Sequence, residues 1–147
     1  MFIILLMSIA GLQGYILIEK VKLRVFIADD SADIRERLPE LLAEIPGIEL
    51  IGIAEKGDIV VETVGVLNPD VVILDIRMPG KNGIDVLKEI KLKRPEIKVV
   101  ILTSYPYPQY RKKCMELGAS YFFEKTADFE KLVSILRQMI TETNINN

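Results

Sequence analysis

Three apolar runs in this chain end on a polar side chain suited to chemistry. Val25-Phe26-Ile27-Ala28 leads into Asp29-Asp30, Val71-Val72-Ile73-Leu74 into Asp75, and Val99-Val100-Ile101-Leu102 into Thr103-Ser104. Unbroken, largely β-branched runs of this length read as strands buried on both faces, as in a parallel sheet. Amphipathic stretches separate them, so from Leu23 onward the pattern alternates strand and helix. It predicts strands over 23–28, 48–54, 71–74, 99–102 and 121–123, with helices over 32–45, 58–67, 84–93, 109–117 and 128–141. Punctuation supports these limits. Ser31 or Asp30 serves as the cap of the first helix and Asp58 as that of the second. Pro46-Gly47, Asn68-Pro69 and Pro95 act as stops, and Gly118 follows the fourth helix. Pro39 falls inside the first helix, where a missing backbone donor predicts a kink. The expected architecture is a single α/β domain of five βα units, a doubly wound parallel sheet with helices on both faces.

The carboxyl ends of parallel strands lie at one edge of such a sheet, where open α/β folds bind ligands. Asp29, Asp30, Asp75 and Thr103 would meet there. Composition narrows the chemistry. The chain has 147 residues, room for one domain with a real core. It contains no histidine, which excludes histidine bases, histidine metal ligands and a phosphohistidine relay. Cys114 is the single cysteine, so an internal disulfide and a thiolate metal cage are excluded too, and a reducing cytoplasmic setting is the simplest expectation. Any metal must be held by oxygen, which favours a hard cation such as Mg²⁺. A net charge of −2 gives no reason to expect nucleic acid as a partner.

Residues 1–20 form an apolar extension. Met1 to Ile18 carries no charged side chain, and Lys20, Lys22 and Arg24 follow. It reads either as a short membrane anchor holding the rest on the cytoplasmic side, or as a loosely ordered segment from a start site placed too far upstream. The lack of an N-terminal basic residue argues against a cleaved signal. Residues 21–143 form the domain proper, and 144–147 a frayed tail.

Taken in order, Asp29-Asp30, Asp75, Met78-Pro79-Gly80-Lys81-Asn82-Gly83, Thr103 and Lys125 are the landmarks of a known family. Leu23 to Ile140 resembles a response-regulator receiver domain, the CheY-like module of two-component signalling. The resemblance implies the flavodoxin-like strand order 2-1-3-4-5. It implies a phosphoryl acceptor at Asp75, with Mg²⁺ held by Asp29, Asp30, Asp75 and the backbone carbonyl of Arg77. Thr103 and Lys125 would then contact the phosphoryl oxygens, and Phe122 would occupy the position of the switching aromatic residue. A carboxylate nucleophile, a metal and fixed donors are also what phosphoryl transfer to an aspartate needs on chemical grounds.

Departures from the family pattern carry expectations of their own. Thr126 follows Lys125 where many members have a cis-proline, so a trans bond is expected. Arg77 and Tyr105, two residues past Asp75 and Thr103, stand where members vary and where side chains influence the acyl phosphate lifetime. Arg111, Lys112, Lys113, Lys131 and Arg137 are expected near the face of the fourth and fifth helices.

The resemblance implies a stand-alone receiver that takes phosphate from a sensor histidine kinase or a phosphotransfer protein and then binds a downstream protein. Its only catalysis would be its own phosphorylation and dephosphorylation, so it is not expected to be an enzyme. Two other readings remain open. One is a docking module that works without phosphorylation. The other is a haloacid-dehalogenase-like phosphatase, whose Asp-x-Asp pattern fails at Asp29-Asp30-Ser31.

Overall fold

The computed structural model describes residues 2–9, 11–19 and 21–146, with side chains from Val21 onward. The first two strands, β1 (Phe2–Ile9) and β2 (Leu12–Glu19), pair antiparallel as a two-stranded sheet of their own, turning at Gly11, whose φ is 80°. The structure thus shows a strand pair where one of the two expected readings was a membrane anchor. Short apolar runs cannot be assigned to helix or strand by periodicity alone, and here β-branched residues and a glycine turn favour a hairpin. No described helix is long and apolar enough to cross a membrane. Residues 1, 10, 20 and 147 of the expected extension and tail lie outside the described residues.

The remaining strands are β3 (Leu23–Ala28), β4 (Ile48–Ala54), β5 (Val71–Leu74), β6 (Lys98–Thr103) and β7 (Tyr121–Glu124). They form one parallel sheet in the order β4-β3-β5-β6-β7, which is 2-1-3-4-5 counted within the sheet. Each central run splits between two cores by the period-two alternation of a strand. Phe26, Val72, Leu74, Val99 and Ile101 face one core, and Val25, Ile27, Val71, Ile73, Val100 and Leu102 face the other. Helices α2 (Gly57–Leu67), α3 (Gly83–Lys93) and α4 (Pro108–Glu116) cover the first core through Val60, Val64, Leu87, Ile90 and Cys114. Helices α1 (Ala32–Ala43) and α5 (Phe129–Ile145) cover the second through Leu38, Leu42, Leu132 and Leu136. Burying each such aliphatic side chain is worth about 1.5–3 kcal/mol, which fixes the strand ends against both helix layers.

Local chemistry sets the helix limits. Ser31 caps α1 and accepts from the Ile34 amide, and Pro39 sits in the helix interior. Asp58 is not the cap of α2; Lys56 holds that position, and Asp58 lies in the first turn with Oδ1 accepting from the Lys81 amide at 3.2 Å. Helix α5 continues to Ile145, past the expected helix end at 141 and into the segment expected to be a frayed tail. Thr141 Oγ1 donates to the Arg137 carbonyl and Asn144 Nδ2 to that of Ile140, so polar side chains reinforce the last turns.

Cys114 lies on the buried face of α4, where burial pushes its thiol up to about 11. At neutral pH the thiolate fraction is then on the order of 10⁻⁴. Ellman's reagent is expected to label it only as fast as the protein unfolds. Rapid stoichiometric labelling in native buffer would show that α4 opens on its own.

Candidate functional site

The register of the sheet assembles the site. Ala28 pairs with Leu74, and Leu74 with Ile101, so the residues that follow each strand emerge side by side. Backbone bonds carry this alignment one residue further. The Asp29 amide donates to Ala54 O and the Asp75 amide to Ala28 O, both at 2.9 Å. On the other side, the Lys125 amide donates to Thr103 O at 2.9 Å, which ties the ends of β6 and β7. The Lys125–Thr126 bond is trans, since there is no cis peptide among the described residues.

Asp29, Asp75 and Lys125 form one buried ion network. Lys125 Nζ stands 2.9 Å from Asp29 Oδ2 and 3.0 Å from Asp75 Oδ2. The side chains are only 10% exposed for Lys125, 3% for Asp29 and 4% for Asp75, so water screens these charges poorly. The other oxygen of each acid is held by backbone. Asp29 Oδ1 accepts from the Ser31 amide at 2.8 Å, and Asp75 Oδ1 from the Ile76 amide at 2.7 Å. Both carboxylates therefore have fixed orientations before any ligand arrives.

Asp30 is exposed at the rim of this network. One carboxylate oxygen from each of Asp29, Asp30 and Asp75 lies within 4.8 Å of the others. One ammonium pairs with two of these three acids, which leaves excess negative charge. Burial raises the pKa of Asp29 and the Asp75 charge adds to this, against the opposing pull of Lys125 and the Ser31 amide. Burial alone would lower Lys125, but its two carboxylate partners more than offset that and raise it. Hard oxygen donors, converging and short of positive charge, fit a divalent cation.

Thr103 is buried at the end of β6, and its Oγ1 accepts from the Tyr105 amide at 3.1 Å. Arg77 is exposed, and its guanidinium carbon lies 3.8 Å over the centroid of the Tyr105 ring. Phe122 is buried in the first core. Arg111 stacks over its ring at 4.6 Å and donates Nη1 to the Phe122 carbonyl at 3.1 Å. The basic residues expected on this side are exposed, and Lys112 and Lys131 pair with Glu116 and Asp128.

The loop after Asp75 is shaped by a glycine. The Gly83 amide donates to Ile76 O at 2.6 Å. A Cβ on Gly83 would lie 2.0 Å from the Asp75 carbonyl oxygen. Asn82 then caps α3 by accepting from the Asp85 amide at 3.0 Å. Sequence reasoning named the acids, Thr103, Lys125, Arg77 and Phe122. It did not identify the Ser31 and Ile76 amides as carboxylate donors, nor Arg111 as a clamp on Phe122. Backbone donors leave no side-chain signal, and Arg111 reads as one of three consecutive surface cations.

Comparison with known proteins agrees with this geometry. Residues 25–137 match the family model of the response regulator receiver domain. The chain belongs to the response regulator receiver domain family. This receiver is 31% identical over 117 residues to the response regulator GacA of Pseudomonas aeruginosa, covering 80% of this chain and 55% of that protein. It is 31% identical to the transcriptional regulatory protein DegU of Brevibacillus brevis, covering 79% and 49% respectively. The chain thus spans about half the length of these curated relatives. Among solved structures, the response regulator domain of Thermotoga maritima CheB superposes with a TM-score of 0.72 at 30% identity, over 83% of this chain and 96% of that one. CheY of Borrelia burgdorferi, solved as a complex with CheX, BeF₃ and Mg²⁺, gives a TM-score of 0.74 at 27% identity, over 81% and 90%.

Proposed function

We propose that this receiver accepts a phosphoryl group on Asp75 and signals by binding a protein partner according to its phosphorylation state. The observation that carries this reading is the fixed Asp75 carboxylate. Oδ1 is held by a backbone amide, while Oδ2 faces Lys125 beside two further acids.

Oδ2 is the nucleophile. It attacks the phosphorus of a phosphorylated donor, and the bond from phosphorus to the donor breaks with its electron pair leaving on the donor. The product is an acyl phosphate on Asp75. Lys125, already poised between Asp29 and Asp75, follows the transferred group as a fixed positive charge. The Thr103 hydroxyl donates to a second phosphoryl oxygen. Asp29, Asp30, Asp75 and the Arg77 carbonyl would hold Mg²⁺, which when bound neutralises charge on the transferring group. The donor is a histidine kinase or phosphotransfer protein, because this chain has no histidine of its own. The acyl phosphate adds nearly two negative charges beside Thr103 and Lys125, and the partner reads that change.

A Phos-tag gel after incubation with acetyl phosphate and Mg²⁺ tests the reading. The wild type is expected to give one retarded band, absent in Asp75→Ala. An unmodified wild type, or equal retardation of both proteins, would sink it.

A further inference from the structure

The hydroxyl of Thr103 is joined to a second cluster that the phosphoryl-transfer chemistry does not use. Its Oγ1 accepts from the Tyr105 amide. The ring of Tyr105 lies under Arg77, and its centroid is 6.3 Å from that of Tyr107, which in turn lies 5.6 Å from Tyr110 in the first turn of α4. Tyr110 also acts on the Arg77 guanidinium, raising it above its ordinary pKa. Arg77 belongs to the loop after β5, while the three tyrosines belong to the loop after β6 and to α4. The guanidinium therefore links two loops that leave adjacent strands of the site.

We propose that Arg77, Tyr105 and Tyr110 form a latch that holds the start of α4 in the unphosphorylated protein and opens when Thr103 turns to a phosphoryl group. The proposal rests on phosphoryl acceptance at Asp75 and adds a route by which it is read. Thr103 has one hydroxyl oxygen. Swung toward Asp75, it draws on the Tyr105 amide and moves the Tyr105 backbone. The ring then slides from beneath Arg77, and the Tyr110 contact goes with it. Phe122 is clamped by Arg111 on its own side, so the tyrosine latch is the more direct mechanical connection from Thr103 to α4. Pro106 and Pro108 stiffen the intervening backbone and keep the motion from dissipating within the loop.

The chain has no tryptophan and five tyrosines, three of them in this cluster, so intrinsic tyrosine emission reports on the latch. The experiment measures acrylamide quenching of that emission with and without beryllofluoride and Mg²⁺, while fluorine NMR of bound beryllofluoride records occupancy. On beryllofluoride binding, wild-type quenching is expected to rise, with Tyr15→Phe and Tyr121→Phe behaving alike. Without beryllofluoride, Arg77→Ala is expected to increase the open population roughly two- to fivefold, the size of one exposed cation–π contact. Tyr110→Phe, which keeps the ring, is expected to show a smaller increase. Bound beryllofluoride with unchanged quenching overturns the latch and leaves phosphoryl acceptance standing. Absence of bound beryllofluoride overturns both. Arg77→Ala with wild-type quenching and an unchanged response overturns the latch alone.

Discussion

Replacing Lys125 with alanine is expected to lower the melting temperature in metal-free buffer by roughly 6–20 °C, the equivalent of about 3–5 kcal/mol. The reason is the burial of its partners. Asp29 and Asp75 are almost fully enclosed, and among the described ion pairs Lys125 is the cation that meets both. Removing it leaves two enclosed negative charges a few ångströms apart. The pH dependence follows from the directions of the shifts. Asp29 has a raised pKa in the fold, so its ionised form costs stability, and that cost disappears as falling pH protonates it toward the ordinary value of 3.8. Without the lowering pull of Lys125 that cost is larger, so the variant should gain on the wild type as pH falls through the raised value toward 3.8. Lys125 is also raised, so its contribution is complete below its ordinary 10.5 and is lost as pH rises through the higher folded value. The gap between the two proteins closes at both ends and is widest between them.

Magnesium supplies the second arm of the same prediction. If Asp29, Asp30 and Asp75 hold a divalent cation, Mg²⁺ substitutes for part of the missing ammonium charge. A cation at a hundredfold excess over its Kd stabilises a protein by about 2.7 kcal/mol. Thermal melts of wild type and Lys125→Ala, each with EDTA and with Mg²⁺, should show the larger Mg²⁺ gain in the variant. An equal gain in both proteins would mean that the ammonium and the cation do not compensate the same carboxylates.

The contacts behind these effects are unequally visible in the amino-acid sequence. The strand limits 23–28, 48–54 and 71–74 agree with the structure; β5 is buried throughout and has no polar position to blur its ends, whereas the edge strand β4, with Glu49 exposed, is marked off by Pro46-Gly47 before it. The acids at those ends are equally plain. Lys125 is different: as a loop lysine it says nothing, and it joined the site only through its order among the other landmarks. The bridge it makes from Asp29 to Asp75 needs the parallel register, which no local pattern encodes. The pairing of β1 with β2 was hidden for the opposite reason, since an apolar run suits a strand or a helix equally well. The last turn of α5 looked like tail because Thr141 and Asn144 are poor helix formers, yet their side chains bond back to the preceding turn. Arg77 over Tyr105 joins residues twenty-eight positions apart, and periodicity is blind to that distance.

Gly83→Ala is expected to leave the protein folded while lowering the rate of phosphorylation by acetyl phosphate about a hundredfold, the typical cost of moving a reacting group by 1 Å. The added Cβ would lie 2.0 Å from the Asp75 carbonyl oxygen and 2.8 Å from Ile76 Cα. Both neighbours are backbone, so neither can turn aside as a side chain would. Either α3 retreats, breaking the Gly83 amide bond to Ile76 O, or the chain after β5 shifts and takes Asp75 with it. Overpacking of this kind costs roughly 1–3 kcal/mol. The second path disturbs the Ile76 amide that fixes Asp75 Oδ1, and with it the aim of Oδ2 toward Lys125. Gly65→Ala on α2 is the control, because a Cβ there meets nothing within 4 Å and replaces a glycine inside a helix. That variant should melt at or slightly above the wild-type temperature and phosphorylate normally. If Gly83→Ala loses stability but retains its phosphorylation rate, α3 has moved alone, and the glycine serves packing rather than the placement of the nucleophile.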